Sequence, residues 1–126
     1  MAYVTDMRAA GRRHYADGVK LFDDHRFDNA GYHFGFAAEC AVKQRLLDCG
    51  VQQEDDAVWK HWPSLRALAL LAISSRSAAD LRRVLSAPNF MAEWDVTMRY
   101  AGNAAVDELR AQRWKDHANR ALGLLL

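Results

Sequence analysis

The chain has 126 residues and a mass of 14.3 kDa, within the range of a single domain spanning residues 1–126. Apolar residues make up 51% and charged ones 26%, which excludes a disordered chain, and two prolines with seven glycines argue against an all-β one. Seventeen basic and sixteen acidic residues leave a net charge of +1, so any nucleic-acid contact must come from a local patch.

The longest apolar run, Ala67 to Ile73, is far shorter than the roughly 20 residues a membrane span needs. Met1 to Arg13 mixes charges with small residues and carries no apolar core of a signal peptide, so the expectation is a cytoplasmic protein with no membrane partner. Cys40 and Cys49 would point opposite ways on one helix, which keeps them from bridging. No CxxC, HExxH, P-loop or GxGxxG motif is present, so neither a metal nor a cofactor is expected.

Thr5 to Asp24 reads as the first helix, with Met7, Gly11, His14, Tyr15, Gly18, Leu21 and Phe22 on one face. Two glycines on that face would let another helix approach closely, and their low helix propensity must be offset by packing. His14 reads as a structural histidine at the inner edge. The second helix is expected from a cap at Asp28 or Asn29 to Gly50, a natural residue just past a helix end. Its middle, His33 to Val42, is apolar nearly all round, which marks it as the central element.

Val51 to His61 is polar and predicts an exposed loop. Pro63 fits the first position of a third helix carrying Leu65, Leu68, Ala69, Leu71 and Ala72. Ser77 is expected to cap a short fourth helix through Leu85, ended by Pro88-Asn89. Phe90 to Gly102 should be irregular or a short helical turn, and Asn103 should cap a last helix with Ala111, Trp114, Ala118, Ala121, Leu122 and Leu125 inward. The sum is an all-α, antiparallel up-and-down bundle of about five helices.

Three groups of residues could carry chemistry. Glu39 lies in the most apolar stretch, four residues before Lys43; it is a pocket acid or a structural carboxylate paired with that lysine. Arg110, Arg113 and His117 form a basic strip on the last helix. There an imidazole could move a proton while a guanidinium steadies a phosphodiester, or the strip is a solvated edge with local carboxylate partners. Trp59, Lys60, His61 and Trp62 gather two indoles and two cations, able to stack bases or to close the end of the bundle.

The run Tyr32-His33-Phe34-Gly35-Phe36-Ala37-Ala38-Glu39-Cys40-Ala41-Val42-Lys43 resembles the central helix of HEPN domains. Phe27-Asp28-Asn29-Ala30, His61-Trp62-Pro63-Ser64-Leu65 and the Trp94-to-Arg99-Tyr100 segment follow in that family's order. The resemblance implies an all-α homodimer of toxin–antitoxin or defence systems, often partnered by a nucleotidyltransferase. Many members are metal-independent ribonucleases with an Arg-x(4–6)-His motif; others act as binding modules. Arg8–His14, Arg26–His33 and Arg110–His117 have that spacing, and Arg110–His117 lies late in the chain, as the motif does in catalytic members. No histidine follows Arg99 within reach, where the motif usually stands. The expectation is therefore a HEPN-type module binding RNA, a nucleotide or a partner protein, with Arg99, Arg113, Glu39, Lys43 and His61 as binding residues. The alternative is a metal-independent ribonuclease with His117 as general acid/base and Arg110 on the phosphate.

Overall fold

The computed structural model describes residues 3–73 and 78–126. Six α-helices occur among them: α1 (Met7–Asp23), α2 (Phe27–Asp48), α3 (Asp56–Trp59), α4 (Ser64–Ala72), α5 (Ala79–Ser86) and α6 (Glu108–Leu122). A 3₁₀ turn, Val96–Tyr100, precedes α6, another follows it, and no strand is present among the described residues. The fold is an all-α bundle.

Helix α2 is the axis. Phe34, Ala37, Ala38, Ala41, Val42 and Leu46 are all fully buried, as its all-round apolar sequence requires. Small residues on α1 and α2 set the helix spacing. A Cβ added at Gly11 would lie 3.1 Å from the Cys40 Cβ, and one at Gly18 only 2.6 Å from the Phe34 ring. The first half of α1 thus meets the second half of α2, and the two are antiparallel. Helix α6 packs on both. The Trp114 ring covers Gly31, Lys115 lies over the Phe22 ring, and Arg8 donates to the Leu125 carbonyl at 2.6 Å. Helix α1 is antiparallel to α6 as well, so α2 and α6 run the same way and open their N-termini at one end of the molecule.

Several boundaries differ from the sequence reading, each for a local reason. The 51–61 stretch is not wholly an exposed loop, because Asp55 caps α3 through the Ala57 amide and buries Ala57 and Val58 completely. Leu71, expected on an apolar face, is 83% exposed. Helix α2 starts at Phe27, without a side-chain cap, since the Asp28 carboxylate is used elsewhere: it accepts from the Ala104 and Val106 amides, both at 2.8 Å. Those bonds, with Ala104 at φ 64, keep 103–106 out of the last helix. Asp107, not Asn103, caps α6 by accepting from the Arg110 amide at 2.8 Å. The expected cap at Ser77 lies outside the described residues.

Candidate functional site

Three of the residues singled out from sequence meet at one carboxylate. Glu39 is 1% exposed; one oxygen lies 2.8 Å from His61 Nδ1 and 3.6 Å from Lys43 Nζ, and the other accepts from the Trp62 amide at 2.9 Å. A buried carboxylate is tolerable only when paired and hydrogen-bonded, and this one has three partners. Trp62 is anchored a second time by its indole N–H, which donates to the Gly35 carbonyl at 3.2 Å. Glu39, with Lys43 as its counter-charge, therefore ties the 60–63 corner to α2. His61 remains exposed on its outer side, its ring edge-on to Phe36 at 5.6 Å.

The basic strip on α6 is engaged by the chain itself. Residues 89–94 form a strap across that helix. The Arg110 guanidinium is hydrogen-bonded and ion-paired to Glu93, the Trp114 indole donates to the Ala92 carbonyl at 3.1 Å, and His117 Nδ1 accepts from the Met91 amide at 3.0 Å. Phe90 stacks on the His117 ring with centroids 5.3 Å apart. Asn89, Met91 and Glu93 all have left-handed backbone, at φ 63, 52 and 70. Because Nδ1 accepts, the His117 proton is on Nε2. Burial first, then the Arg120 and Arg113 charges, holds the His117 pKa below the ordinary imidazole value against the opposing pull of Asp116. Arg113 is exposed on the same margin.

Arg99 stands elsewhere, on a different surface. Its guanidinium donates to the Tyr32 hydroxyl, from Nε at 2.6 Å and from a second nitrogen, and lies 5.4 Å from the Tyr32 ring centroid. These two residues line the lip of a cavity of about 900 Å³ at the end where α2 and α6 begin. Arg26, Asn29 and Asn103 also line it, with Asp28 holding its wall. Beyond the lip a row of rings continues over α2. Tyr32 stacks on Trp94 and meets Phe36 edge-on at 4.7 Å, and Phe36 neighbours both His14 and His61. Tyr32, His33, Phe36 and His14 are each half-buried at this surface.

His14 and His33 face each other with their Nδ1 atoms 3.0 Å apart, one donating and the other accepting. Burial, then the His33 and Arg13 charges, lowers the His14 pKa, with Asp17 opposing. Cys40 is no nucleophile, since burial pushes its thiol up to about 11. Among the described residues, no group of three His, Cys, Asp or Glu side chains could hold a metal ion.

The structure thus gathers Glu39, Lys43 and His61, sets Arg110 and His117 separately against one strap, and leaves Arg99 at the cavity. His14, Tyr32 and Phe36 join the open ring surface without having been named as site residues. Their sequence signals are the face that His14 shares with Gly11 and Gly18, which must meet the central helix, and the place of Tyr32 and Phe36 in the run that resembles the HEPN central helix. No helix among the described residues is long and apolar enough to cross a membrane. Comparison with family models, with curated proteins and with solved structures returns no match to this chain.

Proposed function

We propose that the protein is a HEPN-type helical binding module whose ligand is single-stranded RNA, taken up on the Arg99–Tyr32 lip and the rings beside it. The observation that carries this reading is the juxtaposition of an exposed guanidinium with a row of half-open rings at the mouth of a polar cavity. Guanidinium groups hold phosphates, and open ring faces stack bases without choosing among them. The cavity offers Arg26 as a second cation and Asn29 and Asn103 as hydrogen-bonding groups. The family reading rests on the Ala-Ala-Glu helix and the order of the flanking motifs.

The ribonuclease alternative is less well supported. Arg110 is neutralised by Glu93 and His117 spends its free lone pair on the Met91 amide, so both would have to be released before acting on a phosphodiester. A homodimer belongs to the proposal too. Tyr100 and Leu109, 81% and 72% exposed, are chain neighbours of the cavity-lining Arg99 and Glu108 and offer apolar surface to a second copy. A nucleotidyltransferase is the protein partner that the family resemblance brings with it.

The test is fluorescence anisotropy of a short labelled oligoribonucleotide at two salt concentrations, with wild type and Arg99→Ala. Salt-dependent binding that weakens about tenfold in the variant is expected, a loss on the scale of one charge-assisted contact. No association at low salt, or equal association by both proteins, overturns the site. Metal-independent cleavage in EDTA that is lost in His117→Ala would establish the alternative.

A further inference from the structure

We propose that the 89–94 strap is a proton-operated latch: protonation of His117 detaches the strap from α6 and loosens the Trp94–Tyr32–Arg99 lip that the strap supports. Its second half rests on the RNA-binding reading; its first half does not.

The strap is held at successive positions on one face of α6. Arg110 takes the Glu93 carboxylate, Trp114 the Ala92 carbonyl and His117 the Met91 amide. An indole does not titrate, and the Arg110–Glu93 attachment contains no imidazole. Only the His117 attachment can change between about pH 7.5 and about pH 5.5. It does so by reversing polarity. Neutral His117 accepts at Nδ1, whereas the imidazolium has donors at both nitrogens, so Nδ1–H would confront the Met91 N–H across 3.0 Å.

The strap's backbone makes that loss consequential. Left-handed φ at Asn89, Met91 and Glu93 is disfavoured for residues with a side chain and persists only where contacts enforce it. Phe90, wedged between the His117 and Trp62 rings, shares the same anchor. The charged groups acting on His117 come from α6 itself: Arg113 and Arg120 oppose its protonation and Asp116 favours it. On the strap side, Glu93 is committed to Arg110, and just beyond it Asp95 is committed to Thr97. On α1, Tyr15 faces Asp116 and stays neutral across this range, its pKa raised by burial.

Release would reach the lip through Trp94, the last residue of the strap. Its indole N–H donates to the Gly31 carbonyl at 3.0 Å, and its ring lies parallel to Tyr32, the partner of Arg99. Acid should therefore weaken RNA binding. That is the opposite of what histidines gaining positive charge would do for a phosphate ligand.

The experiment follows the Met91 amide by nitrogen–proton NMR across that pH range in wild type and His117→Asn. Asparagine places an oxygen near the Nδ1 position and does not titrate. The expected result is a Met91 resonance that moves with a midpoint below the ordinary histidine value in wild type and stays fixed in the variant. Oligoribonucleotide affinity should fall about fivefold in acid for wild type and less for the variant. If Met91 is insensitive to pH, or responds equally in both proteins, the latch is overturned. If Met91 responds as expected but affinity changes equally in both, the link to the lip is overturned. If Met91 responds and no RNA binds at any pH, the strap half stands and the binding reading fails. Ring-nitrogen shifts of wild-type His117 give a readout that needs no variant, and an Nδ1-protonated neutral tautomer sinks the proposal.

Discussion

The Trp94 indole occupies the space that any side chain at residue 35 would need: a Cβ built on Gly35 falls inside the indole ring system, overlapping Cε2 and Nε1. The two lie 59 positions apart in sequence, and their contact presses the strap segment onto the central helix. Gly35→Ala should therefore destabilise by overpacking, by about 1–3 kcal/mol or more because a large rigid ring must move. Urea unfolding followed by tryptophan fluorescence measures it. Gly102→Ala, where nothing lies within 4 Å, is the control and should be near neutral.

Removing the buried carboxylate should be costly. Glu39→Ala leaves Lys43, itself 7% exposed, without its counter-charge and the Trp62 amide without an acceptor. Breaking a buried pair on one side costs about 3–5 kcal/mol. Combining Glu39→Leu with Lys43→Met should cost less than the sum of the single changes, since the orphaned charge is gone. Additive losses in chemical denaturation would mean that Glu39 and Lys43 are not energetically coupled.

Acid should destabilise the fold before carboxylates begin to protonate. His14 and His117 both have pKa values lowered in the folded state, chiefly by burial. The charged form is thus disfavoured on folding, and the unfolded chain binds more protons as the pH drops through its own histidine range. The stability these two residues contribute is complete above about 6.5, the unfolded value, and declines as the pH falls towards their lower folded values. Denaturation midpoints measured between about pH 7.5 and about pH 5 should fall with pH, and His14→Gln together with His117→Asn should flatten the trend.

Asp28 accepts from two amides of one segment, 76 and 78 residues away in sequence. Asp28→Ala should free the Ala104 and Val106 amides and cost about 1.5–3 kcal/mol, the usual value of hydrogen bonds to a charged group. Hydrogen exchange at those two amides should accelerate. Unchanged protection would show that the cavity wall is held without the carboxylate.

Tyr32→Phe keeps the ring and removes the hydroxyl that accepts from Arg99. RNA affinity should weaken a few-fold, about 0.5–1.5 kcal/mol for one hydrogen bond, with a stability change within about 0.5 kcal/mol at this exposed contact. A loss of stability larger than the loss of affinity would make the pair a structural strut.

The all-round apolar run of α2 made the central helix legible in sequence, because a helix with no polar face has to be surrounded. Gly11 and Gly18, at two-turn spacing, announced a close helix contact in the same way. The last helix was placed correctly along its inner face but begun too early. Asn103 has the chemistry of a cap, and nothing near it in sequence says that Asp28 competes for the following amides. The four-residue α3 was invisible because its burial depends on two residues, Ala57 and Val58, inside a polar stretch.

The candidate site divides along the same line. Spacing on one helix put Arg110 and His117 on a common margin, and a periodic pattern can do that much because helical geometry is local. Their partners come from the 89–94 strap, whose left-handed Met91 and Glu93 carry no mark in the sequence. The lip and ring surface join residues 14, 32–36, 61 and 94–99 from four parts of the chain, brought together by helix packing. Side-chain periodicity fixes which face of a helix turns inward. What that face meets, and so whether a histidine is an acceptor, a partner or a free base, is set by contacts between segments far apart in the chain.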